Sequence, residues 1–208
     1  MVLGKAGGYH FRGCCGSNRF EPRFEPQFEP TGSCLMSQSD EKLLLSCSRF
    51  RVHEIEIPDR VAGVRKREVI RHPGAVVLLP ILDDKRVLMI NNLRHSVGET
   101  LLELPAGTID PGEPPEMTAA RELIEETGYR CSMLEKIHEF YSCPGICDER
   151  MHLYVATGLV EGLPDREATE EIENQVLTRE EIEEGIDRGL IRDGKTLVGL
   201  YAYLRHFA

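Results

Sequence analysis

The chain has 208 residues, 41% hydrophobic and 29% charged, which suffices for one domain with a sizeable core plus extensions. Its net charge of -10, the absence of Trp and an aromatic content of 6% exclude a phosphate-backbone binder and an aromatic platform for single-stranded nucleic acid. The longest apolar run, Ala75 to Leu82, is interrupted by Pro80 and too short to span a membrane; the 7 Cys, unpaired in pattern and without a secretion signal, point to the cytoplasm.

Residues 1 to 40 differ from the rest. Phe20-Glu21-Pro22, Phe24-Glu25-Pro26 and Phe28-Glu29-Pro30 form a repeat whose prolines forbid a regular helix or central strand. The expectation is an extended, disordered tail. It reads as a short interaction tail with three Phe anchors, or more simply as a solvated one, even upstream sequence ahead of a start at Met36. A folded domain over 41–208 follows, of which 41–72 supplies N-terminal strands. Strands are predicted at Phe50–Ile57 and Val64–Ile70, separated by a Pro58-Asp59 turn. Ala75–Ile81 reads as a buried central strand, Arg86–Asn91 as its return after the Asp83–Lys85 turn, and Leu101–Leu104 as a short strand. A helix is predicted over Glu116–Thr127. Further strands follow at Ile137–Tyr141, Met151–Thr157 and Ile172–Leu177. Thr178 and Glu181 form a capping box for a helix to Arg188, and Leu197, Leu200, Tyr201 and Leu204 stripe a last helix over Thr196–His206. The class is α+β, a mixed β-sheet sandwiched between helices. Cys143 and Cys147, with His138 and His152 nearby, lack the usual spacing of a zinc finger and read as free thiols. His95, His138 and His152 receive no role.

The chemistry concentrates in Gly107 to Tyr129, GTIDPGEPPEMTAARELIEETGY. Glu122, Glu125 and Glu126 at i, i+3 and i+4 place three carboxylates on one helix face. Their repulsion becomes an asset only with a hard cation, since Mg2+ takes carboxylate oxygens together with water and substrate phosphates. Ala120, Leu123, Ile124 and Thr127 offer a core face, Pro114 and Pro115 suit the helix start, and Gly128 suits its end. The whole stretch resembles the Nudix box, G-x5-E-x7-R-E-U-x-E-E-x-G-U with U a bulky apolar residue, and matches it at every specified position. The resemblance implies the Nudix fold (α/β/α) and a divalent-metal hydrolase of a nucleoside diphosphate linked to another group.

Flanking residues narrow the ligand. His72-Pro73-Gly74-Ala75-Val76, Leu102 to Gly107, Cys143-Pro144-Gly145 with Asp148-Glu149, and Asp193-Gly194-Lys195-Thr196 resemble the ADP-ribose pyrophosphatase subfamily. Asn92-Leu93-Arg94 and Cys143-Pro144-Gly145 stand where that subfamily often has Gln-Tyr-Arg and Ser-Pro-Gly, which favours the broader class of nucleoside diphosphate sugars. The resemblance implies metal ligation by Glu122 and Glu126, with Glu125 third and the Ala106 carbonyl completing the site, for Mg2+ or Mn2+. Arg121 orients the glutamates, and Glu113 either serves a metal or holds the loop. Arg94 and Arg67 are candidates to grip the diphosphate or ribose, and Arg67 equally reads as a solvated strand charge. Glu149 is a substrate-side acid. The general base is expected among Glu170, Glu171 and Glu173 with Glu149 as a fourth, Glu171 being favoured. The expected substrate is ADP-ribose, cut to AMP and ribose 5-phosphate, by a homodimer whose N-terminal strands help build the partner's site. The alternatives are GDP-mannose or an oxidised nucleotide, and a non-catalytic ADP-ribose sensor.

Overall fold

A computed structural model describes residues 41–166 and 171–207. The expected N-terminal tail, the start at Met36 and Glu170 lie outside the described residues. In chain order the strands are β1 (Lys42–Ser46), β2 (Arg51–Asp59), β3 (Gly63–Arg71), β4 (Ala75–Pro80), β5 (Val87–Arg94), β6 (Glu99–Glu103), β7 (Ala106–Thr108), β8 (Arg130–Tyr141), β9 (Arg150–Val160) and β10 (Ile172–Leu177). The helices are α1 (Pro115–Glu122), α2 (Arg179–Asp187) and α3 (Gly194–His206).

The apolar run of β4 forms the centre. It is buried along its whole length, pairs antiparallel with β7 and parallel with β9, and β8 adds the outer antiparallel edge. Successive strand residues point to opposite faces. Val76 and Leu78 therefore pack with Ala119 of α1, Leu123 and Tyr154, whereas Val77 and Leu79 pack with Leu104, Leu153, Leu200 and Tyr203. The helices on the two faces explain why β4 has no polar alternation. Each fully buried Leu contributes about 1.5–3 kcal/mol of transfer free energy. A second antiparallel sheet has the order β10-β5-β6, and a third, β1-β2-β3, is built from the N-terminal strands.

Four local features depart from expectation. β1 and β7 emerge from short stretches without a repeating pattern. β8 begins at Arg130, immediately after Gly128-Tyr129, rather than at Ile137, because its solvent-facing polar residues obscure the alternation. The helix expected to run to Thr127 changes to a single π turn over Leu123–Thr127 before Gly128 closes it at φ 83°. The core face of this helical segment is Ala119, Leu123 and Thr127, while Ala120 and Ile124 are only half-buried. The capping box at Thr178 forms in full, with each partner's backbone N–H bound by the other's side chain.

Candidate functional site

The helical segment starts on Pro115, whose missing N–H costs nothing at that position. It projects Arg121 and the acids on one side. Arg121 donates from Nη1 to Glu122 (2.9 Å) and Glu125 (2.7 Å), and from Nη2 to Glu113 (3.1 Å). Burial opposes its charge, but these ion pairs outweigh that cost and raise its pKa further above the ordinary arginine range. The same pairing with Arg121, with help from the Thr118 hydroxyl at 2.8 Å, holds Glu113 below the usual carboxylate range. Glu126 is buried, 4% exposed, and accepts from the Ala106 N–H at 2.9 Å. That bond ties the acidic helix to β7. A Cβ on Gly107 would stand 1.9–2.4 Å from the Glu122 carboxyl atoms, so a larger residue there would displace that carboxylate from its place against the strand.

Arg121, Glu122, Glu125, Glu126, Ala106 and Gly107 line a cleft of about 790 Å³. Glu122, Glu125, Glu126, Asp110 and Asp165 give it acids, and Arg49, Arg51, Arg71, Arg94 and Arg121 give it guanidinium groups. The cations come from separate elements. Arg49 comes from the β1–β2 connection, Arg51 from the start of β2, Arg71 from the end of β3 and Arg94 from the end of β5. Arg71 is anchored by Glu41 and by Asp148 (3.1 Å), and Asp148 also accepts from the His72 N–H (2.8 Å). Arg94 is gripped side-on by Glu103, Nε to Oε1 at 2.8 Å and Nη2 to Oε2 at 2.6 Å. That pairing raises the Arg94 pKa against the opposing effect of burial. Asp165 reaches the cleft because its backbone N–H donates to the Glu125 carbonyl (3.1 Å) and Arg166 Nε to the Glu126 carbonyl (2.9 Å).

The predicted residues divide accordingly. Glu122, Glu125, Glu126, Arg121, Ala106 and Arg94 converge on the cleft. Glu149 lies just behind it, 3.5 Å from Nδ1 of the cleft residue His72. Arg67 is exposed on β3, opposite Ile55 of β2, and does not line this cleft. Glu171 is exposed at the start of β10, where its carbonyl accepts from the Leu93 N–H (3.3 Å), and it too is not a lining residue. His95 lines the cleft, whereas His152 on β9 lies 3.3 Å from Glu139. Sequence reading did not single out Arg49, Arg51, Arg71 or Asp165. The pairs Arg49/Arg51 and Arg71-His72 were the available signals, but charge alone does not say which face a strand end presents.

Among the described residues no three His, Cys, Asp or Glu side chains stand ready as a closed metal cage. The box acids nevertheless fit a hard cation that takes few protein ligands. Glu122, Glu125 and Glu126 offer only carboxylate oxygens, at the edge of a polar cleft with space for water and phosphate. Arg121 meanwhile balances the charge of Glu122 and Glu125.

Comparison with known proteins agrees with this architecture. The chain is 38% identical over 157 residues to the methanol dehydrogenase activator of Bacillus methanolicus, covering 73% of this chain and 82% of that one. It is 38% identical over 147 residues to the ADP-ribose pyrophosphatase of Bacillus subtilis, covering 70% and 78%. A solved ADP compounds hydrolase superposes with a TM-score of 0.67 at 20% identity, covering 78% of this chain and 88% of the other, and so shares the fold. The NUDIX domain model matches residues 71–196, which takes in β4 to the first turn of α3 together with every acid of the helical segment. The chain is a member of the Nudix family.

Proposed function

We propose that this chain is a metal-dependent pyrophosphohydrolase of nucleoside diphosphate sugars, with ADP-ribose as its substrate. The observation that carries the reading is the pairing, in one cleft, of the three box carboxylates with four arginines from outside the box. A diphosphate linking two sugars needs both, cations for its oxygens and acids to hold a metal and receive a proton. The identity to an ADP-ribose pyrophosphatase supports the choice of ligand.

Glu122, Glu125 and Glu126 would hold the metal. A divalent cation, Mg2+ with Mn2+ as the substitute, supplies neutralisation of the diphosphate and a more acidic water. Arg121 keeps Glu122 and Glu125 oriented through its Nη1. Arg94 and Arg71 grip the diphosphate oxygens, and Glu149, beside His72, is a substrate-side acid. Water attacks one phosphorus, the bridging P–O bond breaks, and AMP and ribose 5-phosphate leave. The proton from water passes to a carboxylate beyond the box, with Glu171 as the assigned base. Among the described residues of 161–171, Asp165 is the acid that lines the cleft. The test is phosphate-coupled hydrolysis of ADP-ribose, GDP-mannose and an oxidised nucleotide, each with Mg2+ and with chelator. The expected result is chelator-sensitive turnover of ADP-ribose; turnover of GDP-mannose alone would reject ADP-ribose, and no turnover of any member would reject an enzyme.

The same reading assigns the catalytic domain to 41–208 and a homodimer to the assembly. β1 is an edge strand whose Leu43, Leu44 and Leu45 are 52%, 45% and 53% exposed, an apolar edge that pairing with a second copy would cover. Arg67 belongs to the same sheet and would then serve the partner's cleft. Cys47, Cys131, Cys143 and Cys147 are free thiols, which supports a cytoplasmic setting. Among the described residues no helix is long and apolar enough to cross a membrane.

A further inference from the structure

The stretch Asp193-Gly194-Lys195-Thr196 is absorbed by none of the chemistry above, yet three of its residues are largely buried beside the cleft. The Lys195 side chain is 12% exposed and its ammonium bonds both Glu103 Oε2 and Asp193 Oδ2, the latter at 2.9 Å. Glu103, 1% exposed, is the carboxylate that holds Arg94 through Nε and Nη2. Asp193 caps α3 at the Thr196 N–H (2.9 Å) and accepts from the Thr196 hydroxyl (2.6 Å). That hydroxyl in turn accepts from the Leu104 N–H at 2.9 Å. Two cations and two anions thus form a charge-balanced group, and the one member lining the cleft is Arg94.

From this geometry we infer that Lys195 is a positioning residue for Arg94, acting through Glu103 to fix which guanidinium edge meets the substrate. The side-on pairing commits the Nε–H and one Nη2–H to Glu103 and leaves the Nη1/Nη2 end available to a phosphate oxygen. Glu103 has a burial cost that one guanidinium must otherwise meet alone. Without Lys195 the Glu103 carboxylate loses the bond that fixes its orientation, and its side-on grip on Arg94 loosens. That loosening moves the donor by more than a hydrogen bond tolerates. The inference rests on the reading of the cleft as a diphosphate site.

Two measurements test it. In the wild-type protein the Arg94 Nε–H, identified in a nitrogen-edited spectrum by its loss in Arg94→Lys, should exchange with solvent at least about tenfold more slowly than that of the exposed Arg188. In Lys195→Met that exchange should quicken, and KM for ADP-ribose should rise about tenfold with kcat within about twofold, because a ground-state grip is lost. Lys195→Arg should restore both. A merely structural lysine would instead lower the active fraction, reducing kcat at constant KM. Fast exchange in the wild type, or a folded Lys195→Met with unchanged KM, overturns the inference. If Lys195→Met does not fold, Lys195→Arg decides: slow Arg94 exchange with near-native KM supports the role, and fast exchange with near-native KM overturns it. Should the wild type not turn over ADP-ribose, the functional reading falls, and Arg94 exchange in the wild type and Lys195→Met alone judges the clamp.

Discussion

Glu126 and Arg121 show how single side chains divide the work of the acidic helix. Glu126 is buried and tied to β7 through the Ala106 N–H. In Glu126→Gln that amide bond keeps an acceptor, but the site loses a full charge. We expect turnover to fall by about a hundredfold or more with the circular dichroism spectrum unchanged; near-normal kcat would remove Glu126 from the metal set. The pairing of Arg121 with Glu113 leads to a prediction about pH dependence. It depresses the Glu113 pKa below 4.5 in the folded state, so Glu113 adds stability that is complete above its unfolded pKa and is lost as pH falls through the lower folded value. Urea midpoints should therefore drop as pH falls from roughly 5 toward 3. In Arg121→Met that part of the slope should flatten; an unchanged profile would show that the pair is energetically idle.

At the scale of elements, the join between the helical segment and the strand after it carries a tight constraint. Gly128 has φ 83°, and a Cβ there would lie 2.6–2.9 Å from backbone atoms of Gly162, Leu163 and Pro164. Both the conformation and the backbone contact penalise any other residue. Gly128→Ala should lose about 2–4 kcal/mol of stability in urea unfolding. It should also push the 161–166 segment, and with it Asp165, away from the helix. A variant as stable as wild type would show that the segment yields freely. Elements were legible where one local rule governs them. The apolar run from Ala75 announced β4, and Thr178 with Glu181 announced α2. β7 was not, because Ala-Gly-Thr has no pattern; its strand state comes from pairing with β4. The π turn was invisible as well, since the apolar spacing that suggests an α-helix does not report one inserted residue. The box acids could be read from spacing within one helix. Arg49, Arg51 and Arg71 could not, because only tertiary packing brings them to that helix, and the Lys195–Glu103 bond spans 92 positions.

For the whole molecule, the exposed leucines of β1 make a testable demand. Leu43→Lys with Leu45→Lys should convert a sedimenting dimer into a monomer and lower turnover wherever the partner's strands serve the site; a wild type that already sediments as a monomer would end the dimer proposal. The parallel pairing at the centre reaches further. Ala75 lies beside Met151 and Pro80 beside Ala156, so β4 cannot meet β9 until everything between them, the acidic helix included, has been enclosed in one long loop. Closing such a loop is entropically slow, and its contacts repay the cost only afterwards. The acidic helical segment is therefore carried inside the last large piece of the chain to find its place. Activity regained during refolding should lag behind the early helical signal and return with the slowest main phase, so that a partly folded chain presents its acids without the cleft that gives them a substrate.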